Sequence, residues 1–167
     1  MNKERRIEKL RRDHNLEDFD CGSERLNSWL KKYGLQNQTS GSANTFLGLE
    51  SERLIGFYSL AAASASHADT PKRIKKGLAH HPVPIMLIAR LAVHKDCQKS
   101  GVGRALLKDA VLRTLNAAEI AGIRAIAVHA KDEKARQYYE QFDFEPSPTD
   151  PFHLFVLIKD IRRTLNL

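Results

Sequence analysis

Leu26, Trp29, Leu30 and Tyr33 recur at helical spacing just after Asp20-Cys21-Gly22-Ser23, whose small polar residues are helix N-cap candidates. The pattern predicts a helix over residues 23–33 with those four on its inner face. Residues 45–49 and 54–60 are strand-forming runs on either side of Ser51-Glu52-Arg53. They predict a hairpin, with Gly56 weakening the second strand. Residues 64–84, broken by Pro71, Gly77, Pro82 and Pro84, read as loop. Residues 85–93 are almost continuously apolar and predict a central strand buried on both faces, with Arg90 its one charge. After a loop over 94–100, Val102, Leu106, Ala110, Val111 and Thr114 mark the inner face of an amphipathic helix. Residues 123–128 predict a second buried strand. Ala135, Tyr138, Tyr139 and Phe142 come next at i, i+3, i+4 and i+7 of a short helix, and 152–158 form a last strand. The order is helix, hairpin, strand, helix, strand, helix, strand. Its strand–helix–strand unit implies a parallel pair within a mixed α/β sheet.

Composition narrows the class. The 167 residues suit a single domain over 1–167, and 42% hydrophobic with 28% charged residues excludes disordered, collagen-like and coiled-coil chains. No apolar run approaches the ~20 residues of a membrane-spanning helix. The charged N-terminus is unlike a signal peptide, so a cytoplasmic location is expected. Lys plus Arg number 27 against 20 Asp plus Glu, a net charge of +7. Such a surplus implies a polyanionic partner, nucleic acid or a phosphorylated cofactor, or else a solubilising surface. The basic residues cluster at 3–12, at Lys72, Arg73, Lys75 and Lys76, and at Lys159, Arg162 and Arg163. Cys21 and Cys97 read as free thiols. His94-x-x-Cys97 with His80-His81 lacks a second short Cys/His pair, so no metal site is expected.

The chemistry concentrates in Gln98-Lys99-Ser100-Gly101-Val102-Gly103-Arg104, between a buried strand and a helix start. Two glycines bring bare backbone N–H groups close to an anion, the helix start adds unpaired N–H groups, and Lys99 and Arg104 add charge. No G-x-x-x-x-G-K-[ST] run exists, and Leu106 stands where a dinucleotide-binding turn needs its third glycine. The remaining pattern, [QR]-x-x-G-x-[GA], is met by Gln98, Gly101 and Gly103. A plain turn with glycines is the alternative.

That pattern is the coenzyme A pyrophosphate loop of the GNAT-superfamily N-acetyltransferases, which this chain resembles from Leu16 to about Ile161. LARLAVHKDCQKSGVGRALL resembles the family's strand-four, loop and third-helix block. Residues 135–144 resemble its A-x-x-[FL]-Y-E-x-x-G-F helix, with Asp143 in place of the usual glycine. Asp20-Cys21-Gly22 with Leu26 and Trp29, Ala92-Val93 after Arg90, and Tyr139 resemble the TacT/AtaT-like acetyltransferase toxins of bacterial toxin–antitoxin modules.

The resemblance implies the GNAT fold: a mixed, mostly antiparallel central sheet with flanking helices and a central parallel strand–helix–strand acetyl-CoA unit. It implies acetyl-CoA as cosubstrate, without a metal. The implied acceptor is the amino group of aminoacyl-tRNA, and the implied partners are a ribbon-helix-helix antitoxin and a second copy of the chain. Leu91, Ala92 and Val93 would offer backbone N–H groups to the acetyl carbonyl and the pantetheine amides. Gln98, Lys99, Ser100, Gly101, Val102, Gly103 and Arg104 would hold the pyrophosphate. Tyr139, directly before Glu140, takes the catalytic position and would protonate the leaving sulfur. Tyr138 lies about 100° round the helix and either lines the cofactor slot or packs in the core. His129 touches coenzyme A or is a satisfied strand-end histidine. Arg90 either pairs with a carboxylate or meets RNA phosphate, and Lys72, Arg73, Lys75 and Lys76 join it as nucleic-acid contacts. No general base stands out. A small-amine, polyamine or protein N-terminal acetyltransferase is the nearest rival, and a non-catalytic nucleic-acid- or antitoxin-binding module the rival of another class.

Overall fold

The computed structural model describes residues 3–167. Ser23 caps helix α1 (Glu24–Trp29), its Oγ accepting from the Leu26 N–H at 3.4 Å. The helix does not run on regularly. Leu30–Gly34 form a π-helical turn before α2 (Leu35–Thr39). The wider turn shifts the helical phase, so Tyr33, expected on the inner face, is 48% exposed while Leu30 is fully buried.

The hairpin forms from β2 (Asn44–Glu50) and β3 (Arg53–Ala65), with Ser51 left-handed at φ 54° in the turn. Strand β4 (Val83–Val93), helix α4 (Val102–Ala118) and strand β5 (Ala125–His129) make the strand–helix–strand unit. The parallel register pairs Ile85–Ile88 with Ala125–Val128, and β4 continues beyond it to Val93. The strand is not buried on both faces as expected: Val83, Ile85, Ile88 and Ala92 are buried, but Met86, Leu87, 89–91 and Val93 are only half-buried. Helix α5 (Glu133–Glu140) is capped by Asp132, which accepts from the Ala135 N–H at 2.8 Å, and β7 (His153–Leu157) closes antiparallel on β5. The seven-stranded sheet has the order β1-β2-β3-β4-β5-β7-β6, a mixed, mostly antiparallel arrangement with flanking helices.

Among the described residues, β1 (Arg5–Lys9), α2, α3 (Lys72–Lys75), β6 (Glu145–Pro146) and α6 (Ile158–Thr164) have no signature in the hydrophobic pattern.

The chain divides into two compact units, Met1–Ala61 with Ala89–Ala110, and Ala62–Ile88 with Val111–Leu167. In the first, Leu10, Phe19, Leu30, Leu47, Phe57 and Ala92 form a buried cluster, and Trp29 stacks on Phe57 at 6.2 Å. Gly56 pairs with Gly48 across the hairpin and opens a notch for α4. A Cβ on Gly56 would lie 2.8 Å from Leu106 Cδ1 and 3.0 Å from the Ala92 carbonyl oxygen. The residue that weakens the strand by propensity is where the helix lands. In the second unit, Ala65, Ile74, Val83, Ala125, Ala127 and Phe155 form the core.

Candidate active site

The loop after β4 is braced at its base. The His94 N–H donates to the Ile55 carbonyl at 2.8 Å, and Lys95 Nζ lies 3.0 Å from Asp20 Oδ2. Asp20 also accepts from the Gly22 N–H at 2.9 Å and from Asn27 Nδ2 at 3.0 Å. The Gly22 N–H, Asn27 and Lys95 together hold its carboxyl well below the usual carboxylate range. Asn27 Oδ1 in turn accepts from the Cys21 N–H at 2.9 Å. Gln98 Nε2 donates to the Cys21 carbonyl at 3.3 Å and the Val93 carbonyl at 3.2 Å. The Gln98 side chain therefore joins the Asp20–Gly22 turn to the end of β4. Asp20, one of the N-cap candidates, instead braces the loop, and Asn27, which the sequence pattern does not single out, joins it. The aspartate two residues before a glycine was the available signal, because it forms an Asx-type turn.

The tip is open. Lys99, Ser100 and Gly101 are exposed, with left-handed backbone at Lys99 (φ 64°) and Gly101 (φ 85°). Ser100 Oγ donates to the Cys97 carbonyl. Nothing lies within 4 Å of a Cβ built on Gly101, and Val102, 4% exposed, anchors the first turn of α4. Gly103 is half-buried and Arg104 is exposed on that turn. Left-handed residues at a helix start point successive N–H groups outward, which suits a pyrophosphate.

The second unit carries the tyrosines. Tyr139 is 8% exposed, with ring centroids 5.5 Å from Tyr138 and 5.4 Å from Phe144. Burial pushes its phenol well above the ordinary tyrosine value. Tyr138 is half-buried and packs on Phe142 at 5.3 Å. Asp143, where the family usually has glycine, is left-handed at φ 70°, and its carboxylate accepts from the Thr164 hydroxyl. The turn geometry is kept with an aspartate, which tolerates it. His129, exposed at the end of β5, stacks on its cross-strand partner His153 at 4.0 Å.

The basic clusters differ in kind. Arg73 makes two 2.9 Å hydrogen bonds to Asp160, and Lys75 Nζ donates to the His67 carbonyl at 2.8 Å, while Lys72 and Lys76 are exposed. In the N-terminal cluster Arg5 faces Glu50 at 2.7 Å, Arg6 faces Glu52 at 3.1 Å and Arg11 faces Glu8 at 3.2 Å. That cluster lies on an edge strand, where Arg5, Arg6 and Arg11 each face a carboxylate while Lys9 and Arg12 are exposed. At the C-terminus, Arg162 Nε donates to the Leu167 carbonyl at 3.2 Å. Arg90 has no carboxylate within ion-pair reach among the described residues, and its guanidinium stacks 3.8 Å above the Trp29 ring. Cys21 and Cys97 are free and buried. Among the described residues, no group of three His, Cys, Asp or Glu side chains is placed to hold a metal ion, and no helix is long and apolar enough to cross a membrane.

Residues 42–146 match the acetyltransferase (GNAT) domain. The chain is 44% identical over 144 residues to the tRNA-acetylating toxin of Mycobacterium tuberculosis, covering 86% of each chain. Among solved structures it resembles AtaT complexed with acetyl-methionyl-tRNAfMet, with TM-score 0.87 and 26% identity, over 96% of this chain and 98% of that one. It also resembles a tyrosine-to-phenylalanine mutant of the toxin AtaT bound to the C-terminus of the antitoxin AtaR, with TM-score 0.82 and 25% identity, over 95% and 96%. A family match over more than half of the chain, joined to this degree of identity, places the braced glycine turn and the buried tyrosine in one lineage: the chain belongs to the GNAT acetyltransferases.

Proposed function

We propose that this chain is a toxin-type N-acetyltransferase, one domain over residues 1–167, that moves acetyl from acetyl-CoA to the α-amino group of aminoacyl-tRNA and so blocks translation. The observation that carries the reading is the braced loop with its open, left-handed tip at the start of α4. It suits a pyrophosphate, and the named relatives supply the acceptor class.

Acetyl-CoA supplies an activated acetyl thioester. Lys99, Ser100, Gly101, Val102, Gly103 and Arg104 would hold its pyrophosphate, through N–H groups and two cationic side chains. Gln98 acts through the loop it braces. Backbone N–H groups of Leu91, Ala92 and Val93 would meet the acetyl carbonyl and the pantetheine amides. Tyr138 and His129 would flank the pantetheine. Tyr139 would donate its hydroxyl proton to the departing sulfur, and the resulting phenolate, whose proton affinity burial raises, would take up the proton that the attacking amine sheds. An α-amine has a pKa of about 7.7–8.0, so a substantial neutral fraction exists without a dedicated base. Lys72, Lys76 and Arg90 meet RNA phosphate, with Arg73 and Lys75 beside them. A ribbon-helix-helix antitoxin, a homodimer and the bacterial cytoplasm complete the reading, supported by the resemblance to the toxin branch and by the antitoxin-bound relative.

The test is to incubate the chain with acetyl-CoA and total charged tRNA and to identify acetylated aminoacyl adenosines by mass spectrometry. N-acetylaminoacyl products are expected. The Lys72→Glu/Lys76→Glu variant is expected to raise KM for tRNA and to flatten its log–log salt slope by roughly 0.7–0.9 per lost contact. Acetylation of small amines alone would overturn the substrate assignment, and a salt-independent KM would overturn the electrostatic part.

A further inference from the structure

Arg90 is the one charge in an apolar strand and is half-buried. Its guanidinium lies 3.8 Å from the centre of the Trp29 ring, which is itself stacked on Phe57 in the core of the first unit. Arg25 sits one helical turn before Trp29 on α1 and is exposed. Among the described residues neither arginine has a carboxylate within ion-pair reach, although most of the other arginines in this unit do. Desolvation and the neighbouring Arg25 both hold the Arg90 guanidinium below its ordinary pKa, so the two cations feel each other. A desolvated cation beside a second cation, with no counter-charge, is an unfavourable arrangement that a bound anion relieves.

We propose that Arg25 and Arg90, with Trp29 holding the Arg90 plane, form a clamp for the last internucleotide phosphate of a single-stranded RNA 3′ end. The inference rests on the aminoacyl-tRNA reading. Two observations and the chemistry of the acceptor favour this occupant. A guanidinium seated over an indole, with Cζ 3.8 Å from the ring centre, leaves N–H donors at its edge for the oxygens of a phosphate, in a fork that an ammonium lacks. Arg90 directly precedes Leu91, Ala92 and Val93 on β4, so the clamp lies on the strand whose next residues carry the proposed acetyl-binding N–H groups. An aminoacyl ester hangs on the terminal ribose, and the phosphate nearest to that ester is the last one in the chain. An acidic peptide would offer carboxylates to the same pair, and the test separates the two.

The probe is a short oligoribonucleotide ending in CCA, labelled at its 5′ end, with binding to the full chain measured by fluorescence anisotropy. A second probe carries a neutral methylphosphonate at the last linkage. Arg25→Ala and Arg90→Ala are each expected to weaken the native probe by roughly tenfold or more, and Arg90→Lys not to restore it. The neutral linkage should weaken wild-type binding by a similar factor and add little in either variant. Acetyl-CoA affinity, measured by calorimetry, should stay unchanged. Native-probe binding that is insensitive to Arg25→Ala overturns the proposal, and so does an equal methylphosphonate effect in wild type and variants. Binding of a polyglutamate peptide in place of the RNA also overturns it. Should charged tRNA not be acetylated while the probe still depends on both arginines, the clamp stands and the functional reading falls. Should charged tRNA be acetylated at wild-type KM by Arg25→Ala, the clamp alone falls.

Discussion

Tyr139→Phe is expected to lower kcat by ~10²–10⁴-fold while acetyl-CoA still binds with wild-type affinity. Phenylalanine keeps the ring contacts with Tyr138 and Phe144, so the fold has no reason to change. What is lost is a proton at the hydroxyl. The pH dependence gives a second, independent readout. Burial raises the folded-state pKa of the phenol above its ordinary value. The folded chain therefore holds this proton more tightly than the unfolded chain. The associated stability is fully present below about pH 10 and is lost as pH rises through the folded value. Thermal melting of the wild type should thus fall more steeply above about pH 10 than that of Tyr139→Phe. Unchanged turnover in the variant would remove Tyr139 from the proposed acid role.

Gly56→Val is expected to give the largest loss of stability outside the tyrosine helix. Its Cβ would come within 2.8 Å of Leu106 Cδ1 and 3.0 Å of the Ala92 carbonyl oxygen, and the second contact is backbone that cannot swing aside. Overpacking of this kind costs about 1–3 kcal/mol, and the extra methyl groups of valine place it at or beyond the upper end. In a chain of this size that is a fall in Tm of roughly 5–10 °C. Affinity for acetyl-CoA should fall as well, because Leu106 seats the first turns of α4 and the proposed pyrophosphate loop ends at that helix. Gly122→Ala is the control, since nothing lies within 4 Å of its Cβ and a near-neutral Tm is expected. A Tm for Gly56→Val within a degree of wild type would show that the notch is not closely packed.

These two residues also separate what a sequence displays from what it conceals. Tyr139 is marked by helical spacing and by its place before Glu140, both of which are local. Gly56 reads only as a blemish in a strand, because its role depends on Leu106, fifty positions away. The same division runs through the fold. The hairpin, the central strand and the strand–helix–strand unit carry local periodicity and are visible in it. Strand β1 is not, because its stability comes from pairing with β2 and from ion pairs such as Arg5–Glu50, which alternate no apolar residue. Helix α3 is a single turn after Pro71, with its end held by Arg124 donating to the Ile74 and Lys76 carbonyls. Asp20 and Asn27 brace the glycine loop across the chain, and a hydrogen-bond network of that kind leaves no periodic trace. Charge is legible as a total but not as a distribution. Part of the surplus of +7 sits in residues such as Lys72, Lys76, Arg25 and Arg90, whereas Arg5, Arg6 and Arg11 each face a glutamate.

Lys99 sets two demands on one residue against each other. At φ 64° a lysine is held in a conformation that costs about 1–2 kcal/mol and that glycine adopts freely. Lys99→Gly is accordingly expected to leave the chain as stable as before or more so in thermal melting, and at the same time to weaken acetyl-CoA. The loop would then be a place where folding and binding make opposite demands on one side chain.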